Sequence, residues 1–396
     1  MTLQPLTVVH SVPVWLPNTA TYLYNLVRYL PPEIGNHVVC GATQNLDQFR
    51  VENIHSMEGF LGWHRLINSG LRKLGLQGFL EHLVPVAKHH QARILHSHWG
   101  DVAWRDIKAA RKAKLLHIAT FYGKDVNYLP QQQSKWRKRY QELFSHVDLV
   151  LCEGAHMARC IVALGCREEK VQVQHLGVEV DRIVFKPREW DQHKPLRVLI
   201  AASFREKKGI PYGLAALARL EGDLPGLEVT IIGDASKDPR STIEKAKIMG
   251  TLEKYRLIDK TRLLGYQPHA VLLAEAYKHH IFISPSVTAS DGDTEGGAPV
   301  TILEMAATGM PIVSTRHCDI PSLVIDGETG LLAAERDVDG LAEHLRRLVN
   351  QPENWKQMVM RGRHYIEAQY NVVTQGQKLA RTYRSLAFEK DIGSAA

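Results

Sequence analysis

The chain has 396 residues, of which 44% are hydrophobic and 23% charged, and carries a formal charge of +7. That length calls for two or three domains with substantial cores, and the balance excludes a disordered or low-complexity protein. No run of about 18 apolar residues occurs, which argues against a membrane-spanning helix. A basic surface suits nucleotide phosphates, nucleic acid or anionic lipid, and charge alone does not choose among them.

The opening stretch MTLQPLTVVHSVPVW lacks the basic n-region and long apolar core of a signal peptide. Short apolar or β-branched runs follow, read as strands at 6–10, 37–40, 94–98, 115–120, 149–152 and 171–175. Helical patterns such as 22–30 separate most of them. Between the second and third runs lies FLGWHRLINSGLRKLGLQGFLEHL (60–83). It sets Phe60, Leu61, Leu71, Leu74 and Phe79 beside Arg65, Arg72 and Lys73. This suits core packing against the first sheet, or a helix resting on anionic membrane. WRKRYQ (136–141) is a second basic-aromatic patch. Cys40, Cys152, Cys160, Cys166 and Cys318 are odd in number and form no C-x-x-C pair, which fits reduced cytosolic thiols and not a disulfide framework or a zinc site.

Next comes VEVDRIVFKPREWDQHKP (178–195), charged, aperiodic and bearing two prolines, which reads as an interdomain linker. A second series of strands is expected at 197–201, 228–232, 261–264, 281–284 and 311–314, with helices at 210–220 and 341–349. Such alternation implies parallel sheets covered on both faces. Two series imply an α/β chain of two Rossmann-like, doubly wound halves. Ligands then lie in a cleft at the carboxyl ends of the strands.

The stretch DGDTEGGAPVTILEMAATGMPIVST (291–315) carries the most chemistry. Residues 285–298 have turn composition, Pro299 fits the first turn of a helix over 300–308, and Gly309 fits the position just past its end. A strand, a glycine turn and a helix start together aim backbone N–H groups at a phosphate or diphosphate. Glu295 and Glu304 would repel phosphates but accept well from sugar hydroxyls. The plainer alternative makes Glu295 a solvated loop acid and Glu304 an exposed helix residue. Asp291-Gly-Asp293 only superficially matches a metal-binding pair, and its composition is that of a turn.

EGGAPVTILEMAATGMPIVST resembles the glutamate motif of the GT-B, family 4 retaining glycosyltransferases, above all the colanic-acid or exopolysaccharide branch. Other segments agree in order and spacing along nearly the whole chain: HSHWG (96–100), TFYGKDV (120–126), LGCREEKVQVQHLGVEVDR (164–182), EKKGIPYGL (206–214), TIIGDA (230–235), LLGYQPH (263–269) and DIPSLVIDGETGLL (319–332). The resemblance implies two Rossmann-like domains facing a cleft. The first spans 1–180 and is completed by 370–396, whose last helix crosses back; the linker is 181–195; the donor-binding domain is 196–369.

The resemblance also implies roles. Glu304 binds the nucleotide ribose and Glu295 the donor sugar, with Gly297, Ala298, Pro299 and Val300 beside the donor. The family leaves seven residues between its two acids where this chain has eight, so Asp293 is an alternative to Glu295. The family's Arg-x4-Lys-Gly appears as SFREKKG: Lys208 keeps the lysine, Ser203 stands at the arginine position, and Arg205 follows two residues later. Lysine and a forked guanidinium are what a leaving diphosphate requires. Gly233, Gly265 and Tyr266 complete the donor side. In the first half, Asn18 and Thr19 stand where relatives have a Gly-Gly loop. Tyr122 replaces the histidine of a His-Gly-x-Asp segment whose acid is Asp125. His98 is the nearest substitute imidazole, and Glu153 ends a strand on the acceptor side. With twenty histidines in the chain, a structural role for His98 stands beside a functional one.

The implied reaction is front-face attack by an acceptor hydroxyl, with the leaving phosphate taking the proton. Neither a dedicated base nor a metal is expected. No cofactor is expected either, since the UDP- or GDP-sugar is a substrate. The acceptor is a glycan, lipid-linked or small molecule. The expected location is cytoplasmic, peripheral at the inner face of an anionic membrane, without nucleic acid as a partner. Competing readings are a nucleotide-sugar epimerase or sugar phosphorylase on the same scaffold, and a non-catalytic basic binding protein. The last gives no reason for two acids beside a Gly-Pro turn.

Overall fold

The computed structural model describes residues 6–17, 21–47, 49–59 and 79–395. Asn18, Thr19 and most of the amphipathic stretch 60–83 lie outside them. The chain divides into two units. One comprises Met1–Gly177 with Val372–Ala396, and the other Val178–Asn371. The α/β reading with two Rossmann-like halves agrees with this architecture.

The first unit is built on seven parallel strands: β1 Leu6–Trp15, β2 Ile34–Thr43, β3 Ile54–Ser56, β4 Ile94–His98, β5 Leu116–Thr120, β6 Leu149–Cys152 and β7 Val171–Val173. Their order is β3-β2-β1-β4-β5-β6-β7. Successive side chains point to opposite faces of a strand, and β1 shows the consequence. Val8 packs with Ile94, Ile118, Leu379 and Tyr383, while its neighbour Val9 packs with Val39, Leu83, Ala87 and Leu95. Both faces are therefore roofed, which is why the strand reads as an unbroken apolar run. Leu379 and Tyr383 come from the terminal helix Val372–Ala395, which belongs to this unit.

The second unit has six parallel strands: β8 Leu196–Ala201, β9 Leu227–Ile232, β10 Thr261–Leu263, β11 Ile281–Ser284, β12 Ile312–Thr315 and β13 Leu331–Ala333. Their order is β10-β9-β8-β11-β12-β13. Val198 and Ile200 face the helices Ile210–Leu220 and Val338–Asn350, whereas Leu199 and Ala201 face Val300–Ala307. Chain order reverses beside β8, between β9 on one flank and β11 on the other. That reversal opens a crevice at the carboxyl ends of β8 and β11.

The stretch expected as a linker, 181–195, is instead part of the second unit. Arg188 is 6% exposed. Its guanidinium donates to the carbonyls of Lys186, Ala276, His279 and Thr308 and to the Thr308 hydroxyl. Ala276 ends the helix His269–Ala276, and Thr308 caps Val300–Ala307. One cation therefore satisfies the carbonyls that two helices leave open at their negative ends. Burial lowers the guanidinium to about 10, so it stays charged at neutral pH. Trp190 completes the strap, stacking near Trp355 at 6.4 Å between ring centroids. Charge composition suggested a solvated segment; the burial follows from partners far away in sequence.

Gly309 has φ +85°, and a Cβ there would stand 2.9 Å from the Lys186 backbone. Only glycine lets the strap cross the end of that helix. The aromatic half of WRKRYQ is also internal. Trp136 and Tyr140, one turn apart on Lys135–His146, are 4% and 0% exposed, which leaves Lys135, Arg137 and Lys138 outside. Among the described residues, no helix is long and apolar enough to cross a membrane.

Arg188→Met should destabilise the second unit by about 3 kcal/mol, the scale of losing a buried charged partner. Urea denaturation measures this, and a loss under about 1 kcal/mol, no more than one ordinary hydrogen bond, would contradict the capping role.

Candidate functional site

The crevice of the second unit is shaped by glycines at two close approaches. Gly233, just past β9, has φ +128°, and a Cβ there would fall 1.9 Å from the Ala202 carbonyl oxygen. Its N–H donates to the Gly265 carbonyl at 2.8 Å, joining the loops that leave β9 and β10. Gly209, at φ +61°, would place a Cβ 1.9 Å from the Pro285 carbonyl oxygen. Its bare backbone lets the loop after β8 lie directly against the loop after β11. This contact brings the basic turn Glu206–Lys208 to the acidic stretch 291–295.

The two segments are laced together. Lys208 Nζ donates to Glu295 Oε2 at 2.8 Å, and Ser286 Oγ donates to Oε1 at 2.8 Å. Lys207 Nζ donates to Asp293 Oδ1 at 3.2 Å and to the Thr294 carbonyl at 2.7 Å. Arg205 reaches Asp293 at 3.1 Å and Asp238 at 3.2 Å. Arg240 holds Asp238 and Asp291. Asp238, Asp291, Asp293 and Glu295 thus face Arg205, Lys207, Lys208 and Arg240, and their formal charges cancel.

The Glu295 side chain is 6% exposed. Burial alone pushes its carboxyl up, but Lys208 and Lys207 outweigh burial and bring it to about 2. Its backbone N–H donates to His317 Nε2 at 3.1 Å, and His317 Nδ1 stands 2.6 Å from Glu335 Oε1. That pairing fixes the tautomer: Nδ1 carries the proton and Nε2 accepts. Asp293, the alternative to Glu295, has both oxygens engaged by Arg205 and Lys207.

Glu304 lies in the helix Val300–Ala307, 8% exposed, with Oε1 2.7 Å from His269 Nε2. The bond to Glu304 raises the His269 pKa. Pro299 is the cap of this helix, just outside the first turn where the sequence placed it, with Gly297 and Ala298 leading into it. Val300 is its first residue. Tyr266 is 44% exposed. Ser203, at the arginine position of the motif, offers its carbonyl to the Arg205 N–H at 2.9 Å. The guanidinium of Arg205 grips carboxylates of its own unit.

Lys208, Arg205, Glu295, Ser203, Gly233 and Gly265 therefore converge at one end of one sheet, with Glu304 in the helix that follows β11. Lys207, Ser286, His269 and His317 were not singled out by sequence. His269 sits inside the family-like string LLGYQPH and Lys207 inside the charge run EKK, so both were within reach. Ser286 and His317 carry no local signal.

In the first unit, the Tyr122 hydroxyl lies 2.6 Å from His98 Nδ1, and His98 Nε2 lies 3.1 Å from His10 Nδ1. Desolvation, then Tyr22 and Glu153, raise the Tyr122 phenol well above its usual range, so it stays a neutral donor. Burial and then His10 hold His98 well below the usual histidine range. Asp125 is 2% exposed; its oxygens accept from the N–H groups of Gly100 at 2.8 Å and Tyr122 at 3.0 Å. It anchors the start of the helix Gly100–Ala113. Burial raises it to about 6 against those bonds. The Glu153 carbonyl accepts from His175 Nδ1 at 2.8 Å.

Residues 182–365 match the family of group 1 glycosyl transferases, and residues 19–182 match glycosyltransferase family 4. The putative colanic acid biosynthesis glycosyltransferase WcaL of Escherichia coli is 30% identical over 308 residues, covering 76% of this chain and 72% of that protein. This chain belongs to the group 1, family 4 glycosyltransferases. The amylovoran biosynthesis glycosyltransferase AmsK of Erwinia amylovora is 32% identical over 280 residues, 70% of this chain and 66% of that one. The chain thus spans about two thirds of these relatives' own length. Among solved structures, Anabaena HepE in complex with UDP and glucose superposes with a TM-score of 0.76 at 15% identity, covering 96% of this chain and all of that one. Sucrose-phosphate synthase of Thermosynechococcus elongatus gives 0.75 at 16%, covering 97% and all. The fold of this family member is therefore GT-B.

Removing the charge of Glu295 should be costly. Glu295→Gln leaves Lys208 unpaired, which is expected to lower stability by about 3 kcal/mol at pH 7. The carboxyl is lowered from its ordinary 4.5 to about 2. Its contribution is therefore complete above pH 4.5 and lost as pH falls toward 2. Urea denaturation at pH 6 and pH 3 should show wild type losing more stability than the variant. Equal losses would contradict the pairing.

Proposed function

We propose that this glycosyltransferase is a retaining, metal-independent enzyme. It moves a sugar from a nucleotide sugar, UDP- or GDP-linked, to a hydroxyl of a glycan, lipid-linked or small-molecule acceptor in exopolysaccharide or other glycoconjugate biosynthesis. The observation that carries this reading is the cluster of Arg205, Lys207 and Lys208 at the carboxyl end of β8, beside the start of the helix bearing Glu304. WcaL and AmsK are named for colanic acid and amylovoran biosynthesis, and HepE structures contain UDP, glucose and UDP-glucose. These names support the pathway class and the donor class.

In this reading the donor diphosphate exchanges places with carboxylates. Lys208 and Arg205 turn from Glu295 and Asp293 to phosphate oxygens, and the N–H groups at the start of Val300–Ala307 add to them. Glu295, relieved of Lys208 but still held by Ser286 and by His317 on its backbone, accepts hydroxyls of the donor sugar. His269 donates to one oxygen of Glu304 and leaves the other for the ribose. Gly233, Gly265 and Tyr266 line the nucleotide side.

As the bond from the anomeric carbon to phosphate breaks, negative charge grows on the leaving diphosphate where Lys208 stands. Stabilising that charge is the main catalytic contribution. The acceptor oxygen bonds to the same face of the carbon, and its proton passes to a phosphate oxygen. Side-chain cations do the work that a metal would otherwise do. Tyr122, a neutral donor backed by His98, serves the acceptor side with Glu153, Asn18 and Thr19. Asp125 positions backbone there and does not touch substrate. The protein works in the cytoplasm. Peripheral contact with the inner face of an anionic membrane draws on the exposed Lys135, Arg137 and Lys138.

A thermal-shift and calorimetric panel of nucleoside diphosphates and their sugars tests this. One nucleotide series should stabilise the protein. Glu304→Ala should weaken the nucleoside diphosphate about tenfold or more, as expected for a lost charged hydrogen bond, and Glu295→Ala should weaken it less. Wild-type binding by both variants would refute the assignment. Recovery of an epimerised nucleotide sugar without acceptor would refute transfer itself.

A further inference from the structure

A group of side chains gathers at the β2–β3 edge of the first unit. β2 and β3 pair in parallel with Val39 opposite His55. Strand side chains alternate, so His37 shares a face with Val39 and hence with His55. Val39 packs against Leu83, Val84 and Ala87 of the helix Leu83–His89, so that helix covers the face in question. His90 caps the same helix at its end. Three imidazoles from three separate elements therefore meet. His37 and His90 stack with ring centroids 3.6 Å apart.

The ring centroid of His55 lies 5.4 Å from those of both His37 and His90, the separation of two imidazoles that share one metal. One nitrogen from each of His37, His55 and His90 lies within 4.8 Å of the other two. His37 Nδ1 and His55 Nε2 are 3.2 Å apart. A zinc–nitrogen bond of about 2.0–2.1 Å in a tetrahedron sets neighbouring nitrogens roughly 3.3 Å apart. The first pair already has that spacing, and His90, stacked on His37, completes the set by turning its ring edge toward the same point. His82 Nε2, at the start of the same helix, donates to the His55 carbonyl at 2.8 Å and ties β3 to that helix. His37 is 9% exposed while His55 and His90 are part-buried, so solvent ions have access to the group. Burial and the neighbouring imidazoles lower His37 to about 4, which leaves its ring uncharged at neutral pH.

We propose that His37, His55 and His90 bind a divalent first-row transition ion of the zinc class, which clamps the edge strand β3 to β2 and to the helix Leu83–His89. An all-imidazole set favours zinc, cobalt, nickel or copper over magnesium or calcium. Water completes the coordination. The role is structural. β3 has only three residues and forms the margin of its sheet, where ladder bonds are fewest. The site lies toward the amino ends of these parallel strands, whereas substrates of such folds sit at the carboxyl ends. The inference is independent of the donor and acceptor assignments above.

The test uses the full chain, stripped with EDTA and titrated with Zn2+ by calorimetry, alongside melting in EDTA and in Zn2+. Because the chain has twenty histidines, the decisive comparison is between wild type and the double variant His55→Gln, His90→Gln. Wild type should bind one more equivalent at micromolar or tighter Kd, and its Zn2+-induced rise in Tm should vanish in the variant. His90→Gln alone, at a helix end where folding is least at risk, should weaken Zn2+ at least tenfold. The proposal is overturned if wild type shows no saturable site, or if the variants bind Zn2+ with its stoichiometry and affinity.

Discussion

The second unit is organised by opposite charges held face to face at the end of a parallel sheet. Lys208 and Glu295 leave the sheet on different loops, after β8 and β11, and meet because Gly209 lets those loops touch. Each would be expensive to bury alone. Together with Lys207, Arg205 and their acids they make a compact, neutral lattice that keeps the basic turn ordered. Basic side chains gathered there alone would repel one another, and the acids of the opposite loop screen that repulsion.

That arrangement depends on the helix Val300–Ala307 being held rigidly, and the anchor lies at its far end. Arg188 occupies the negative ends of this helix and of His269–Ala276 at once. The first helix carries Glu304 and the second begins with His269, so the strap that fixes their C-termini also fixes the Glu304–His269 pair. A side chain in a supposed linker thereby helps set the geometry of two side chains it never touches. Gly309 belongs to the same device, since any larger residue would push the strap off the helix end.

Much of this was legible in the sequence. Buried parallel strands announce themselves as apolar runs, and β1, β4, β8 and β11 were recognisable on that basis. The glycines, Lys208 and Glu304 stood in strings of recognisable order. Partnerships were less visible. Nothing local in EKKG states that Lys208 meets Glu295, eighty-seven residues on, and nothing near Arg188 discloses that its counter-charges are carbonyls of residues 276, 279 and 308. Composition misleads in such cases, because a charge looks solvated until its distant partners are known. WRKRYQ misled for a different reason. Trp136 and Tyr140 are four residues apart, followed by Leu143 and Phe144, so the helical stripe pointing into the core was there to be read.

The two units solve the problem of buried polar groups in contrasting ways. The second balances full charges against each other. The first keeps a row of imidazoles neutral: His98, His10 and His96 are fully buried, and burial drives each toward the uncharged form. A chain from the Tyr122 hydroxyl through His98 to His10 can therefore pass hydrogen-bond polarity inward without placing a charge in the core.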